Sequence, residues 1–115
     1  MQKTSTVFVG GWNRTKHIYR KVLRLAPNGH EIYFVPCNDL VYQNKPGNIA
    51  EAFRTMLEKD NIGKSTIIAH SLGGIVALEY AYRYPDRVEE LFLVNTAAIP
   101  PGSALLKRLL AYPSL

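Results

Sequence analysis

Short apolar runs alternate along the chain with segments in which apolar residues recur every three or four positions. The runs have the length of buried strands, and the longer segments have the period of helices that pack on one side. Strands and helices that alternate in this way are typical of a parallel sheet joined by crossover helices. The predicted strands cover residues 6–9, 31–36, 65–69 and 90–95, and the predicted helices cover about 15–25, 49–60 and 75–84.

We therefore predict an α/β fold, a minimal three-layer, doubly wound sheet of about four parallel strands with crossover helices. Right-handed crossovers would bring the turns after the first and third strands to the same carboxyl edge, where ligands bind in such folds. The first predicted helix carries its apolar residues on one face and its basic residues elsewhere, and the second buries four apolar residues. These are Ile18, Val22 and Leu25 in the first helix and Ile49, Phe53, Met56 and Leu57 in the second.

Composition limits the chain to one small domain, since 115 residues with 47% hydrophobic side chains suffice for one core. No apolar stretch approaches the length of a membrane span, and the N-terminus lacks the pattern of a secretory signal. A lone cysteine, Cys37, excludes an internal disulfide and agrees with a reducing compartment. We therefore expect a cytoplasmic protein.

The net charge of +5 is concentrated before Glu31, the first acidic residue of the chain. A basic face can attract nucleic acid or an acidic membrane surface. No aromatic side chains interleave with these charges as a stacking platform requires. We predict that the basic residues form the solvated side of one helix and that the protein has no nucleic-acid partner.

The segment His70-Ser71-Leu72-Gly73-Gly74 follows a predicted strand and leads into a predicted helix. A serine on such a turn, with small residues two places before and two after it, is typical of the nucleophile elbow of serine hydrolases. The turn strains the serine backbone and exposes its hydroxyl beside a helix N-terminus, whose N–H groups can meet a developing oxyanion. The alternative is that Ser71 is a helix N-cap. No Glu or Gln stands at position 74 to complete a capping box, and glycines are poor helix formers, so the elbow is favoured.

Other chemistries lack their motifs. The segment Gly63-Lys64-Ser65 resembles the end of a phosphate-binding loop, but Glu58 occupies the place of the first glycine and a strand follows the motif. The glycine pair Gly10-Gly11 lacks the further glycines of the motif that binds dinucleotides. Three scattered histidines and one cysteine offer no metal-ligand spacing, so we predict no metal and no cofactor.

Over about residues 5 to 100, the chain resembles the α/β-hydrolase superfamily of the serine hydrolase type. The resemblance is to the N-terminal half of those hydrolases only. The resemblance is carried by the strand and glycine turn at 7–12, by the elbow at 69–74, and by 84–95, which is similar to the family's proline-ended helix and next strand. It implies that Ser71 is the nucleophile and that the backbone N–H groups of Leu72 and Trp12 form the oxyanion hole. It also divides the chain into a truncated hydrolase core, 1–101, and the start of a cap-like amphipathic segment, 102–115.

The triad acid and base that this family uses are missing from the chain. In the family the order is Ser, then Asp or Glu, then His. The four acids that follow Ser71 lie within or just after the elbow helix and none is at the carboxyl end of a predicted strand, and no histidine follows His70. We expect His70 to be structural and to point away from substrate, His17 to lie on the surface, His30 to lie at the opposite edge, and Cys37 to be a small core residue. The acids are Glu79, Asp86, Glu89 and Glu90.

Three hypotheses follow. The first is a serine hydrolase that acts on an ester or similar small acyl substrate, in a truncated chain with little activity of its own. The alternative is a non-catalytic binding or interaction module that keeps the hydrolase fold, either as a homo-oligomer or with a partner chain. A third, weaker hypothesis is a small nucleotide-binding domain. In the interaction module, the contact surface would be formed by leucines of the last segment, which need to be covered. They are Leu105, Leu106, Leu109 and Leu110.

Overall fold

The computed structural model describes residues 5–12, 15–26, 31–38, 40 and 48–96. Within them, four parallel strands form one sheet in the order β2-β1-β3-β4, and the predicted α/β class is confirmed. The strands are β1 (Ser5–Val9), β2 (Ile32–Val35), β3 (Ser65–His70) and β4 (Val88–Val94). The helices are α1 (Arg20–Leu23), α2 (Ile49–Lys59) and α3 (Leu72–Arg83), and a 3-10 turn, Pro85–Arg87, follows α3.

The strand order reverses beside β1. From β1 the chain passes to β2 on one side, and it then crosses to β3 on the other side. Val9 at the end of β1 is level with Val35 of β2 and with Ala69 of β3, so the carboxyl ends of the three strands are aligned. This is the topological switch point at which open α/β sheets hold their ligands.

The main core lies between one face of the sheet and helices α2 and α3. Burial alternates along β3, where Ile67 and Ala69 are buried and the residues between them are half-buried, as the two-residue period of a strand requires. In α2, Phe53 is fully buried and packs edge to face on Tyr80 of α3, with ring centroids 4.8 Å apart. Of the four residues predicted to be buried in α2, Ile49, Phe53 and Leu57 are buried, whereas Met56 is half-buried.

The prediction for the first helix was wrong in extent and in orientation. Only Arg20–Leu23 is α-helical, because residues 15–20 wind through tighter turns in which the N–H groups of residues 18, 19 and 20 bond to the carbonyl three residues back. A turn of three residues shifts each side chain around the axis relative to an α-helix, so the expected apolar stripe does not form. Ile18, Val22 and Leu25 are exposed instead, Leu25 by 81%, and Tyr19 is the buried residue.

This segment covers the second face of the sheet only in part. A cavity of about 330 Å³ remains between it and the strands. The face is therefore less tightly packed than the one beneath α2 and α3. The residues that line the cavity are Thr6, Phe8, Val22, Leu25, Ala26, Ile32, Thr66 and Ile68.

Two further element boundaries differ from the prediction. Helix α3 begins at Leu72, three residues earlier than expected. Its two glycines have low helix propensity, but both stand at close contacts, Gly73 with the backbone at the end of β1 and Gly74 with the side chain of Thr96. Strand β4 begins at Val88, two residues earlier than expected, so Glu89 lies within the strand as Glu90 does.

The last segment of the chain, 97–115, lies outside the described residues. The proposed boundary between 101 and 102, the leucine-rich surface and the position of His30 therefore stay predictions. In the part of the chain that the structure describes, no helix has both the length and the apolar character that crossing a bilayer requires.

Replacing the buried Phe53 by alanine should destabilise the fold. Phe53→Ala leaves a void beneath Tyr80, and we expect it to lower the free energy of unfolding by about 3–5 kcal/mol in a urea titration followed by circular dichroism. Tyr82, on the same helix as Tyr80 and 70% exposed, supplies the control. Tyr82→Ala should change the free energy of unfolding by about 0.5 kcal/mol or less, and equal losses in the two variants would contradict the packing described.

Candidate active site

Ser71 occupies the junction between β3 and α3 and is exposed to solvent. Its backbone has φ 54° and ψ −124°, a left-handed conformation that residues other than glycine seldom adopt. Hydrogen bonds from the end of β4 hold it there: the Ser71 N–H donates to the Val94 carbonyl at 3.1 Å, and the Thr96 hydroxyl donates to the Ser71 carbonyl at 3.2 Å. Such strain persists only where the surrounding structure fixes it, and it is common at functional sites.

The first turn of α3 lies directly against the end of β1. A Cβ at position 73 would stand 2.5 Å from the carbonyl oxygens of Val9 and Gly10, closer than any side chain can approach. A Cβ at position 74 would overlap the side chain of Thr96, which holds Ser71. Both glycines of the elbow are therefore required by close contacts, and the contact at Gly73 sets the distance between the elbow and the glycine turn.

The glycine turn after β1 lies beside Ser71. A Cβ on Gly11 would be 3.2 Å from the Ser71 Cβ. Trp12 and Leu72, whose N–H groups the sequence suggested as oxyanion donors, are both half-buried and pack in part against the core. The structure thus brings together the three residues that the sequence singled out, at the carboxyl edge of β1 and β3.

The Ser71 side chain does not act as a helix cap. It makes no capping hydrogen bond to α3, although Ser71 is the N-cap residue by position. The first N–H groups of a helix lack intrahelical acceptors, and the helix dipole adds partial positive charge there. The exposed hydroxyl consequently lies next to a group of donors that suits a developing negative charge.

Tyr19 is a site residue that the sequence analysis missed. Its hydroxyl accepts a hydrogen bond from the Gly11 N–H at 2.7 Å and lies 2.9 Å from Nδ1 of His70. His70, expected to point away from the substrate side, is half-buried on the strand face opposite α2 and α3, where it links the elbow to Tyr19. Tyr19 lies in a basic segment in which the helical periodicity assigned the apolar face to Ile18, Val22 and Leu25. No local signal therefore identified Tyr19 as the buried residue.

The four acids that follow Ser71 lie elsewhere. Glu79 is buried in α3, 3.8 Å from Arg83, and its Oε2 has no hydrogen-bond partner among the described residues. Asp86 belongs to the 3-10 turn after α3. Glu89 and Glu90 lie at the start of β4, and Ser71 bonds to the other end of that strand.

The described histidines do not supply a base for Ser71 either. His17 is exposed and contacts Arg20 at 3.1 Å, and Nδ1 of His70 faces Tyr19. Within the described ranges, therefore, no carboxylate and imidazole pair is assembled beside the Ser71 hydroxyl.

Cys37 is fully buried in the main core. Burial raises the pKa of its thiol from 9.0 to about 12, because the thiolate would lose its hydration. The thiol is therefore neutral at physiological pH and unsuited to nucleophilic chemistry, which needs the thiolate.

An exposed serine on a strained strand-to-helix turn at the switch point of a parallel sheet defines a class of protein, the hydrolases built on an α/β sheet. Comparison with known sequences supports this assignment: a sequence model of the alpha/beta hydrolase fold matches residues 43–115. The chain belongs to the α/β-hydrolase family.

Individual relatives match the chain over part of their own length. A 2-hydroxy-6-oxononadienedioate/2-hydroxy-6-oxononatrienedioate hydrolase from Comamonas testosteroni is 30% identical over 124 aligned residues, which cover 92% of this chain and 42% of that protein. An uncharacterised protein from Mycobacterium tuberculosis is 36% identical over 64 residues, 56% of this chain and 19% of its own length. The chain thus spans less than half the length of these relatives.

Solved structures share the fold. A protein from Pseudomonas aeruginosa, described as a probable hydrolytic enzyme, superposes with a TM-score of 0.67 at 27% identity, over 81% of this chain and 32% of that one. An epoxide hydrolase from Bacillus megaterium superposes with a TM-score of 0.70 at 21% identity, over 83% of this chain and 36% of that one. At that identity the second match concerns the fold alone.

A side chain at position 73 should disrupt the elbow. Gly73→Ala forces the α3 backbone away from the carbonyls of Val9 and Gly10, and we expect a loss of about 1–3 kcal/mol in the free energy of unfolding. Gly11→Ala serves as a milder comparison, because its Cβ would have its closest contact at 3.2 Å. It should lower the free energy of unfolding by less than Gly73→Ala does. Wild-type stability of Gly73→Ala in urea would contradict the contact.

The buried thiol should resist modification. We expect Cys37 of the folded protein to react with Ellman's reagent at pH 8 at least about a hundredfold more slowly than in the protein unfolded by urea, because its pKa of about 12 leaves little thiolate and burial blocks access. The rate should rise as pH increases toward that pKa. A rapid reaction of the folded protein at pH 8 would show that the thiol is neither buried nor shifted.

Proposed function

We propose that the protein provides the nucleophile and the oxyanion hole of a serine hydrolase, with Ser71 as the nucleophile and a small ester or similar acyl compound as the substrate. The observation that carries the proposal is the conformation of Ser71, with φ 54° and an exposed side chain, next to Gly11 of the glycine turn. This arrangement exposes the Ser71 side chain to solvent beside the backbone of the glycine turn.

In the proposed reaction, the Ser71 Oγ attacks the acyl carbon and its proton passes to a base. The carbonyl oxygen takes up the negative charge of the tetrahedral intermediate, and the N–H groups of Leu72 and Trp12 donate hydrogen bonds to it. As the intermediate collapses, the base gives that proton to the leaving oxygen, the bond between this oxygen and the acyl carbon breaks, and the neutral alcohol departs with the acyl group left on the Ser71 Oγ. Water then attacks the acyl carbon of the acyl-enzyme ester. The carboxylic acid departs, and the Ser71 hydroxyl is regenerated.

A serine hydroxyl is a weak nucleophile without a base that is oriented by an acid. We propose that both groups come from sequence other than residues 1–115. Two observations support this: no histidine follows His70, and the chain spans 42% of the Comamonas hydrolase. Residues 1–115 alone would keep about a 10³–10⁴-fold acceleration over water, the amount left when triad members are removed from serine proteases.

A second candidate function is that of an interaction module. It is favoured by the exposure of β4, an edge strand whose Phe92, Leu93 and Val94 are each at least 39% exposed. An exposed apolar edge strand is a template for pairing with another chain. This candidate predicts an intact fold in which Ser71 has no more than ordinary reactivity.

The test is the reactivity of Ser71 toward a fluorophosphonate, whose addition creates the same kind of developing oxyanion. We expect the folded 115-residue chain to be labelled once, at Ser71, at least about a hundredfold faster than the chain unfolded in urea, since an oxyanion donor contributes about 10²–10³ in rate. Intact mass and peptide mapping measure the rate and the position.

The controls separate the alternatives. Ser71→Ala should abolish labelling, whereas Ser65→Ala should keep it, because Ser65 is buried and donates to the Gly63 carbonyl. Equal labelling rates in the folded and unfolded chain would overturn the proposal and leave the interaction module. Efficient hydrolysis of a p-nitrophenyl ester by residues 1–115 would contradict the need for an outside base.

A further inference from the structure

Tyr19 is buried although the segment around it is exposed. It retains 7% of its accessible surface, whereas Ile18, its neighbour in sequence, retains 55%. Its ring packs on Phe8 and Phe34, at centroid distances of 4.8 Å and 5.6 Å, and meets the His70 ring edge to face at 5.6 Å. These aromatic contacts fix the ring without involving the hydroxyl.

The hydroxyl joins two segments of the site. It accepts the Gly11 N–H at 2.7 Å, so its own proton is available for Nδ1 of His70 at 2.9 Å. Either tautomer of His70 can complete this contact, because Nδ1 can accept the hydroxyl proton or, when it carries a proton, donate to the second lone pair of the hydroxyl oxygen. A chain of hydrogen bonds thus runs from the glycine turn through Tyr19 to the residue that precedes Ser71.

Hydrogen bonds hold both glycines of the turn. Gly10 is held by the bond from its N–H to the Val35 carbonyl at 3.0 Å, and Gly11 by Tyr19. Glycine has the widest range of backbone angles of any residue, so a hydrogen bond on Gly11 restricts where the next peptide can lie. That next peptide carries the Trp12 N–H.

We propose that Tyr19 is a positioning residue of the active site: its hydroxyl fixes the Gly11 peptide and thereby aims the Trp12 N–H at the oxyanion formed on Ser71. The inference rests on the proposed function for its catalytic consequence. The tyrosine acts through the backbone and touches no substrate.

Tyr19→Phe tests the role of the hydroxyl, because it keeps the ring contacts with Phe8 and Phe34. Two measurements on the 115-residue chain are required, the fluorophosphonate labelling rate of Ser71 and the amide hydrogen-exchange rate of Gly11 by NMR. We expect labelling to slow by about tenfold, less than the 10²–10³ of a donor removed outright. We expect exchange at Gly11 to accelerate by about tenfold as its N–H loses a buried acceptor.

Tyr80→Phe is the matched control. Tyr80 is also buried, and its hydroxyl accepts a hydrogen bond from Arg87 at 3.1 Å, away from the elbow. This variant loses a buried hydroxyl as Tyr19→Phe does, and it should leave the labelling of Ser71 and the exchange of Gly11 unchanged. Equal slowing in both variants would show a general effect of stability and overturn the positioning role.

The remaining outcomes are distinct. If the Gly11 amide exchanges at the same rate in Tyr19→Phe as in the wild type, the hydrogen bond between Gly11 and Tyr19 is contradicted. If it exchanges faster while the labelling rate of Ser71 is unchanged, the positioning role is contradicted. If folded wild-type protein is labelled no faster than unfolded protein, the proposed function fails, and Gly11 exchange still reports the hydrogen bond by itself. Should Tyr19→Phe not fold, the exchange rate of the Gly11 amide in the folded wild type decides: exchange as fast as in the unfolded chain overturns the hydrogen bond to Tyr19, and with it the positioning role.

Discussion

The contact between the first turn of α3 and the end of β1 is the constraint on which the site depends. Only a hydrogen atom fits at position 73, because a Cβ there would stand 2.5 Å from two carbonyl oxygens. The helix can therefore begin immediately after Ser71, and the serine must take a left-handed conformation to turn the chain from strand to helix. Exposure of the hydroxyl follows from this geometry.

The strain at Ser71 is tolerated because α3 cannot move away. Most of its first three turns is buried, and Tyr80 locks it to Phe53 of α2. On the other side, Val94 and Thr96 hold the Ser71 backbone from the end of β4. Strained backbone conformations persist where several independent contacts determine them. Here a buried helix and a neighbouring strand supply those contacts.

The sequence predicted those parts whose signal is local. The alternation along β3 and the spacing of Ile49, Phe53 and Leu57 each repeat over several residues, and the small residues of the elbow match one specific kind of turn. The prediction of the first helix was wrong because the spacing of its apolar residues fits an α-helix, whereas the chain winds in tighter turns there. Tyr19 was missed because its role depends on partners 8 and 51 positions away, which no window along the sequence contains.

The two parts of the candidate site are anchored in different layers of the fold. Ser71 is held by α3 and by the end of β4, on the side of the main core, whereas the Gly11 peptide is held by Tyr19 from the thinly covered face. Elements with less buried surface open at lower free energy than a core does. We therefore expect the Gly11 peptide to loosen at a lower free energy than the Ser71 backbone, because the segment around Tyr19 is the more exposed of the two anchors. Any contact that covers this second face would therefore order the glycine turn more than it orders the serine.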